Sequence, residues 1–140
     1  MNVHSSGELF RLEPSLAAPR LARQRVRDVF ADLPDDQQAV ILLLTSEVVS
    51  NAVEHPVPPG GGRREDIEVR WFRTERLLRV EVTDDDPRPL PPPRRPSDLT
   101  ENGMGLMLVA NLATWWGSDA TDDGEGKVVW FELLMSAGPD

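Results

Sequence analysis

A strip of polar residues interrupts an otherwise apolar segment between residues 36 and 55. Glu47 and Asn51 lie four residues apart, and Glu54 and His55 follow Asn51 by three and four residues. Residues at this spacing share one face of a helix. An asparagine oxygen suits Mg²⁺, and a carboxylate one turn away can accept a proton from an attacking hydroxyl or orient a water. The strip fits a metal-assisted site or a solvated helix face equally well.

Asp84 is a second candidate, because it follows a strand-like segment and opens a long proline-rich loop. Binding residues are common where strands run out into loops. A carboxylate at that point can accept a hydrogen bond from an exocyclic amine such as that of adenine. Asp85 and Asp86 come directly after it and are also typical of a plain turn. The position therefore predicts either a ligand contact or a turn.

A third candidate is the sequence GMGL at residues 103–106, which precedes an apolar segment of helical periodicity. Glycines at a helix start let the backbone approach a ligand closely. The unpaired N–H groups and the dipole of a helix start favour phosphate. Taken alone, this motif is more typical of a flexible loop–helix junction than of a phosphate site.

Hydrophobic periodicity indicates the elements that must position these residues. It predicts strand, helix, helix, strand, strand, helix, strand and strand, at residues 7–13, 17–33, 36–55, 66–73, 77–83, 103–115, 116–120 and 127–134. Leu9, with Phe10 or Leu12, is predicted to face inward from the first strand. Helices and strands do not alternate strictly, so we predict an α+β two-layer sandwich, with a mixed, mostly antiparallel sheet covered by helices on one face.

Two features of the predicted elements bear on partners and on loops. Arg20, Arg23 and Arg27 fall on one side of the first helix, where a solvated basic face is favoured over a docking surface. Residues 84–100 contain six prolines and are expected to form a long loop, since proline removes a backbone donor.

Composition limits the classes of function. The 140 residues predict one domain with a core at about residues 9–134, and the net charge of −9 disfavours nucleic acid and anionic membranes as partners. Cysteine is absent, which excludes disulfides and thiolate chemistry. No signal peptide or membrane span is predicted, so a cytoplasmic location is expected. Because the protein is acidic, a nucleotide site here would need a metal ion and backbone N–H groups rather than a basic patch. Lys127 is the only lysine, so no P-loop lysine is available.

In this order, the three motifs resemble the Bergerat ATP-binding fold of gyrase, Hsp90, histidine kinases and MutL. SEVVSNAVEHP resembles its N-box, VEVTDDDPRP its first glycine box, GMGLMLVANLATWWG its second glycine box, and KVVWFEL its closing strand. The resemblance extends from about Leu9 to Leu134. It is greatest to the small anti-sigma-factor serine/threonine kinases, especially their actinobacterial relatives.

The resemblance implies a role for each matched residue. Asn51 would ligate Mg²⁺, Glu47 would be the catalytic base, Asp84 would bind the adenine amine, and residues 86–102 would form an ATP lid. Further contacts to ATP are implied for His55, Gly103, Met104, Gly105 and Leu106.

The implied function is that of a partner switch. Such a kinase holds a sigma factor inactive and phosphorylates a serine or threonine of an anti-anti-sigma (STAS-type) protein, and such kinases are often homodimers. The alternative is a non-catalytic protein-binding module of the same fold. A histidine kinase domain or a gyrase-type hydrolase is disfavoured, because no dimerising phosphoacceptor hairpin or transducer domain is found in the sequence.

The sequence departs from the family pattern at the first glycine box and on the last strand. Asp85, Asp86 and Pro87 replace its glycines, and three adjacent acids are expected to weaken nucleotide binding by repulsion unless Mg²⁺ or contact with the adenine end relieves it. Val128 and Val129 occupy the stretch where the superfamily often has a threonine near adenine. The lid arginines at positions 88, 94 and 95 are expected to be solvated rather than bound to phosphate.

Overall fold

The computed structural model describes residues 8–54, 65–88 and 105–135. Its elements are β1 (Glu8–Leu12), α1 (Ala18–Val29), α2 (Asp35–Glu54), β2 (Ile67–Arg73), β3 (Leu77–Asp84), α3 (Gly105–Leu112), β4 (Trp115–Ala120) and β5 (Lys127–Leu134). Their order is the one predicted from the sequence. In these ranges, no helix combines the length and apolarity required to cross a bilayer.

The five strands form one sheet in the order β1-β2-β3-β5-β4, and every neighbouring pair is antiparallel. Alternate residues of β2, β3 and β5 are buried on one face of the sheet, and the helices pack against that face. This arrangement confirms the predicted α+β two-layer sandwich. It also explains the period-2 pattern of the strands, because only one face of the sheet lies against the core.

The core lies between the sheet and the two longer helices. Its largest fully buried side chains include Phe30, Ile41, Leu44, Leu78 and Phe131. Burial of each such side chain stabilises the fold by roughly 1.5–3 kcal/mol. α2 is apolar almost all round because it contacts α1, α3 and the sheet at once. The helix that carries the candidate site is therefore held on several sides.

The α1–α2 contact contains polar bonds that account for part of the predicted arginine strip. Arg23 Nη1 donates to Ser46 Oγ at 2.7 Å, and Gln38 Nε2 donates to the Phe30 carbonyl at 3.0 Å beyond the end of α1. Arg20 and Arg27 are exposed. Pro19 lies in the first turn of α1, where its missing N–H costs nothing. Of the three arginines, Arg23 therefore takes part in the contact between the helices, while Arg20 and Arg27 form a solvated face.

Three details differ from the sequence prediction. Leu9 faces outward and is 37% exposed, while Phe10 and Leu12 of the same strand are both buried. α1 ends at Val29 rather than near residue 33. α3 ends at Leu112, and Trp115 begins β4 instead of ending the helix. Short segments rich in aromatic and apolar residues fit either period, so packing decides between helix and strand.

The other face of the sheet carries an arginine–tryptophan stack. The Arg79 guanidinium lies 4.3 Å from the ring centroid of Trp130, and it bonds the carboxylates of Glu81 and Glu132. The Trp130 ring covers Gly117, where an added Cβ would approach the ring to 2.9 Å. This cluster gives the solvent-facing side of β3, β4 and β5 a cross-strand connection.

Candidate functional site

The polar strip lies in the C-terminal half of α2. Glu47 and Asn51 are both half-buried, and α2 contacts α3 and strands β3 and β5. Glu54 is the last residue of the helix, and His55 lies outside the described residues. The structure therefore places Glu47 and Asn51 one turn apart on a helix that contacts β3, which ends in Asp84, and α3, which begins at Gly105.

Asn51 Oδ1 is buried and has no hydrogen-bond partner among the described residues. A buried oxygen without a donor costs about 1–3 kcal/mol of stability. Buried polar atoms without a hydrogen bond are rare in folded proteins, and a bound ion or water often accounts for them. Thr45 Oγ1 is also buried without a partner among the described residues, and no ligand is assigned to it. Asn51 Oδ1, in contrast, lies in the strip already indicated as a site.

The donor chemistry at Asn51 fits magnesium. Mg²⁺ is a hard cation that takes oxygen ligands and is usually bound through one or two protein oxygens together with water and phosphate oxygens. Within the described ranges, no group of three or more histidine, aspartate or glutamate side chains is arranged to hold a metal. A single amide oxygen that shares its ion with a polyphosphate matches this pattern better than an all-protein cage.

Asp84 is the last residue of β3, and its side chain is paired with Lys127. Lys127 begins β5 directly opposite Asp84 in the register of the sheet. Its Nζ lies 3.1 Å from Oδ1 and 3.0 Å from Oδ2 of Asp84, and the two side chains are only 3% and 1% exposed. Nζ also donates to the Asp86 carbonyl at 3.2 Å. The carboxylate of Asp84, which is predicted to accept a hydrogen bond from the adenine amine, thus belongs to a buried ion pair.

Gly126 makes the close approach of these two strands possible. A Cβ built on Gly126 would lie 2.1 Å from the Asp84 carbonyl oxygen. No side chain fits in that space, and the atom it meets belongs to backbone rather than to a movable side chain. The glycine therefore lets β5 begin against the end of β3, with Lys127 facing Asp84.

The three adjacent acids all have partners among the described residues, and these partners reduce the local repulsion. Asp84 pairs with Lys127 and accepts from the Asp86 N–H at 2.9 Å. Asp85 Oδ2 accepts from the Glu65 N–H, and the Asp86 carboxylate receives the Arg88 guanidinium through Nε and Nη2. The negative charge of residues 84–86 is therefore met by donors and cations at the start of the proline-rich loop.

Arg88 is bound to a carboxylate rather than only to solvent, and it changes how Asp86 titrates. Its side-chain hydrogen bond holds the pKa of Asp86 far below the ordinary 3.8, against the opposing effect of burial. Arg88 itself is about half exposed, at 53%. The pair contributes its full stability while Asp86 is ionised in both the folded and the unfolded protein, and this contribution declines once the unfolded chain takes up the proton.

Arg88→Met is expected to lower the melting temperature at neutral pH and to lose this effect in acid. Because the pKa of Asp86 is depressed in the folded state, the stabilisation is fully present above about pH 5 and falls away as the pH drops below 3.8 toward the folded pKa. Melting curves from pH 7 to pH 2.5 test this, with Arg20→Met on α1 as the control. A melting difference that persists unchanged at the lowest pH would contradict the assignment.

The second glycine motif is only partly described. Gly105 begins α3, which packs against α2. Leu106 is in the first turn of α3, and Gly103 and Met104 lie outside the described residues. The helix start predicted from the sequence is thus at the predicted place. Contacts of Gly103, Met104 and Leu106 with phosphate remain predictions.

Sequence reasoning missed Lys127 and Gly126 as site residues. Val129, which the sequence places near the adenine position, is buried on the core face, but the polar group that β5 sets beside Asp84 is Lys127. A signal was available, since the only lysine of the chain begins its most apolar strand and follows a glycine. A lone cation at the start of a buried strand indicates a buried acid nearby.

The fold and this arrangement define an ATPase-type α+β domain, and comparison with known families agrees. The model of the histidine kinase-like ATPase domain matches residues 12–133. The chain belongs to this family, whose members bind ATP, usually with Mg²⁺. Among curated proteins, none gives a significant match to the chain.

Proposed function

We propose that this protein binds Mg–ATP and acts as a serine/threonine protein kinase of the anti-sigma type. Its proposed substrate is a serine or threonine hydroxyl of an anti-anti-sigma (STAS-type) protein, and its second proposed partner is a sigma factor that it holds inactive. The family assignment supports the nucleotide. The motif pattern of the sequence supports the anti-sigma subtype, and the cytoplasm is the compartment in which both proposed partners act.

The observation that carries the proposal is the buried Asn51 Oδ1 on α2, which has no hydrogen-bond partner within residues 8–54, 65–88 and 105–135. An atom that costs stability in the free protein is well explained by a ligand that repays it. α2 contacts α3, and the backbone N–H groups at the start of a helix such as α3 suit phosphate. This combination lets a protein of net charge −9 bind a polyanion without a basic patch.

Glu47 is the proposed general base. Bound Mg–ATP would supply the transferable γ-phosphoryl group. In the proposed transfer, the partner's hydroxyl oxygen forms the new P–O bond, the bond to the β-phosphate oxygen breaks, and the hydroxyl proton moves to the Glu47 carboxylate. Asn51, one turn along the helix, would hold the Mg²⁺ through Oδ1, and the ion would supply charge neutralisation for the phosphates. Asp84 accepts from the exocyclic amine of the base and so fixes the other end of the nucleotide.

The direct test of the nucleotide site is a calorimetric titration of the full chain with ATP, in Mg²⁺ and in EDTA. Saturable binding that depends on Mg²⁺ is the expected result. Absence of heat, together with an unchanged melting temperature at millimolar Mg–ATP, would refute the nucleotide part of the proposal. A melting shift adds an independent measure, since a ligand that binds only the folded state stabilises it.

Glu47→Gln is expected to separate binding from transfer. The amide keeps the shape of the side chain but cannot accept the hydroxyl proton. Phosphorylation of a purified STAS-domain partner should fall by roughly 10²- to 10⁴-fold, while the dissociation constant for Mg–ATP changes little. Gln37→Ala on the first turns of α2 serves as the control. Transfer by Glu47→Gln at the wild-type rate would remove Glu47 from the role of base.

The second candidate function is a protein-binding module with weak or no nucleotide binding. The Asp84–Lys127 pair favours it, because an incoming base amine must reach a carboxylate that is already ion-paired and 1% exposed. The absence of glycines after Asp84 favours it as well. The two functions differ in the titration above: silence with ATP, together with tight binding of a STAS-domain or sigma-factor partner, supports the module.

A further inference from the structure

We propose that Lys127 is a positioning residue for base recognition. By holding the Asp84 carboxylate in one orientation, it sets a preference for a purine that carries an exocyclic amine. This inference rests on the proposed nucleotide binding and deepens it. It concerns which base is selected, and it assigns that selection to a pair of side chains rather than to Asp84 alone.

The geometry of the pair supports orientation rather than mere proximity. Nζ of Lys127 reaches both carboxylate oxygens of Asp84, at 3.1 and 3.0 Å. The Asp86 N–H reaches Oδ1 from the loop side at 2.9 Å. Donors from two separate segments therefore restrain one carboxylate group. Charge-assisted bonds of this kind are directional, so the remaining acceptor directions of Asp84 are fixed as well.

The ion pair is not needed to fill the core. Other core-face positions on β3 and β5 are apolar, namely Leu78, Val80, Val82, Val129, Phe131 and Leu133. Replacing a buried ion pair with apolar residues is often neutral or stabilising, because desolvation offsets the attraction between the charges. Stability therefore does not explain why Asp84 and Lys127 form a charged pair where β3 ends and β5 begins, beside the start of the proline-rich loop.

Lys127 also connects the base site to the loop. It donates to the Asp86 carbonyl at 3.2 Å, and the Asp86 carboxylate is held in turn by Arg88. The segment 84–88 is thus bonded to the start of β5 by the same ammonium group that orients Asp84. Removal of that ammonium should loosen the acceptor that meets the base amine, while the phosphate end of the site, on α2 and α3, keeps its structure.

The experiment compares ATP with purine riboside 5′-triphosphate, which lacks the exocyclic amine. The wild type is expected to prefer ATP by roughly 10- to 100-fold, the value of a hydrogen bond to a charged acceptor. In Lys127→Met, the preference should fall to about twofold or less, while the affinity for the analogue changes within about twofold. Without the cation, the buried carboxylate takes a proton and becomes a weaker acceptor, or it turns away, and in both cases it contributes less to binding the amine.

Each outcome decides a separate point. Equal loss of affinity for both nucleotides in Lys127→Met would make the lysine purely structural and overturn the inference. Equal binding of both nucleotides by the wild type would overturn the inference too, because the exocyclic amine would then contribute nothing to affinity. A wild type that binds neither would refute the proposed nucleotide binding itself. Arg11→Met, which removes an exposed ion pair with Glu68 on the same sheet, should leave the preference unchanged.

A double variant protects the test against misfolding, since Lys127→Met leaves a buried carboxylate without its cation. Asp84→Asn combined with Lys127→Met removes both charges. If Lys127 acts only through Asp84, this double variant and Asp84→Asn alone should show the same residual preference for ATP, within about twofold. A further loss in the double variant would mean that Lys127 contacts the base itself, which contradicts a positioning role.

Discussion

Asn51→Ala is expected to lower the affinity for Mg–ATP by roughly 100-fold or more, because removing a residue that supports a metal site already costs 10- to 100-fold even in the outer shell. The stability of the free protein should change by less than about 1 kcal/mol, since loss of side-chain contacts is offset by removal of a buried oxygen that has no donor. Calorimetry with Mg–ATP and chemical denaturation of the free protein measure the two quantities.

This combination of effects distinguishes a ligand site from a structural polar residue. A structural asparagine that is replaced by alanine loses stability first and binding only as a consequence. Asn111→Ala, at the exposed C-terminal end of α3, is the matched control and should alter neither quantity appreciably. Loss of several kcal/mol of stability in Asn51→Ala, or ATP binding that persists at the wild-type level, would contradict the proposed role.

Gly126→Ala is expected to be the most destabilising single change near the site, by about 3 kcal/mol. The new Cβ would lie 2.1 Å from the Asp84 carbonyl oxygen, and backbone cannot move aside as a flexible side chain can. β5 must therefore shift from β3 at the level of the Asp84–Lys127 pair. Urea denaturation should show the loss of unfolding free energy, and Mg–ATP affinity should fall with it.

Gly124→Ala is the matched control in the same turn. Gly124 has a φ of 73°, and nothing lies within 4 Å of a Cβ built on it. Only the left-handed backbone conformation disfavours alanine there, at a cost of about 1 kcal/mol. An equal cost for the two variants would show that the close contact of Gly126 with Asp84 carries no special weight.

The two predictions concern opposite ends of the proposed site. Asn51 belongs to the phosphate end, on a helix fixed by the core, and its replacement should leave the structure intact. Gly126 belongs to the base end, where two strands meet so closely that a methyl group is not tolerated. The base end is therefore coupled to folding, and the phosphate end is not. Variants of Lys127 should resemble Gly126→Ala in stability and differ from it in base selectivity.

Local pattern was sufficient to predict most of the fold. The period-2 alternation of β2, β3 and β5 identified their core faces, because only one side of this sheet is covered. The long apolar segment of α2 predicted a helix buried on several sides. The prediction was wrong at Leu9 and at Trp115, in short segments where apolar residues satisfy either period. There, contact with the rest of the sheet decides which side chain is buried.

The sequence by itself determined the order of the elements, the one-sided sheet and the polar strip that contains Glu47 and Asn51. These follow from spacing along a single helix or strand, which is fixed by backbone geometry. Only the tertiary structure decided that Lys127 faces Asp84, that Arg88 pairs with Asp86 and that Asn51 Oδ1 has no donor in the part of the chain that the structure describes. Asp84 and Lys127 are 43 residues apart, and the spacing patterns of a single helix or strand cannot predict a contact over that distance in sequence. The charge of a binding site depends on which strands become neighbours, and the packing of the whole chain decides that.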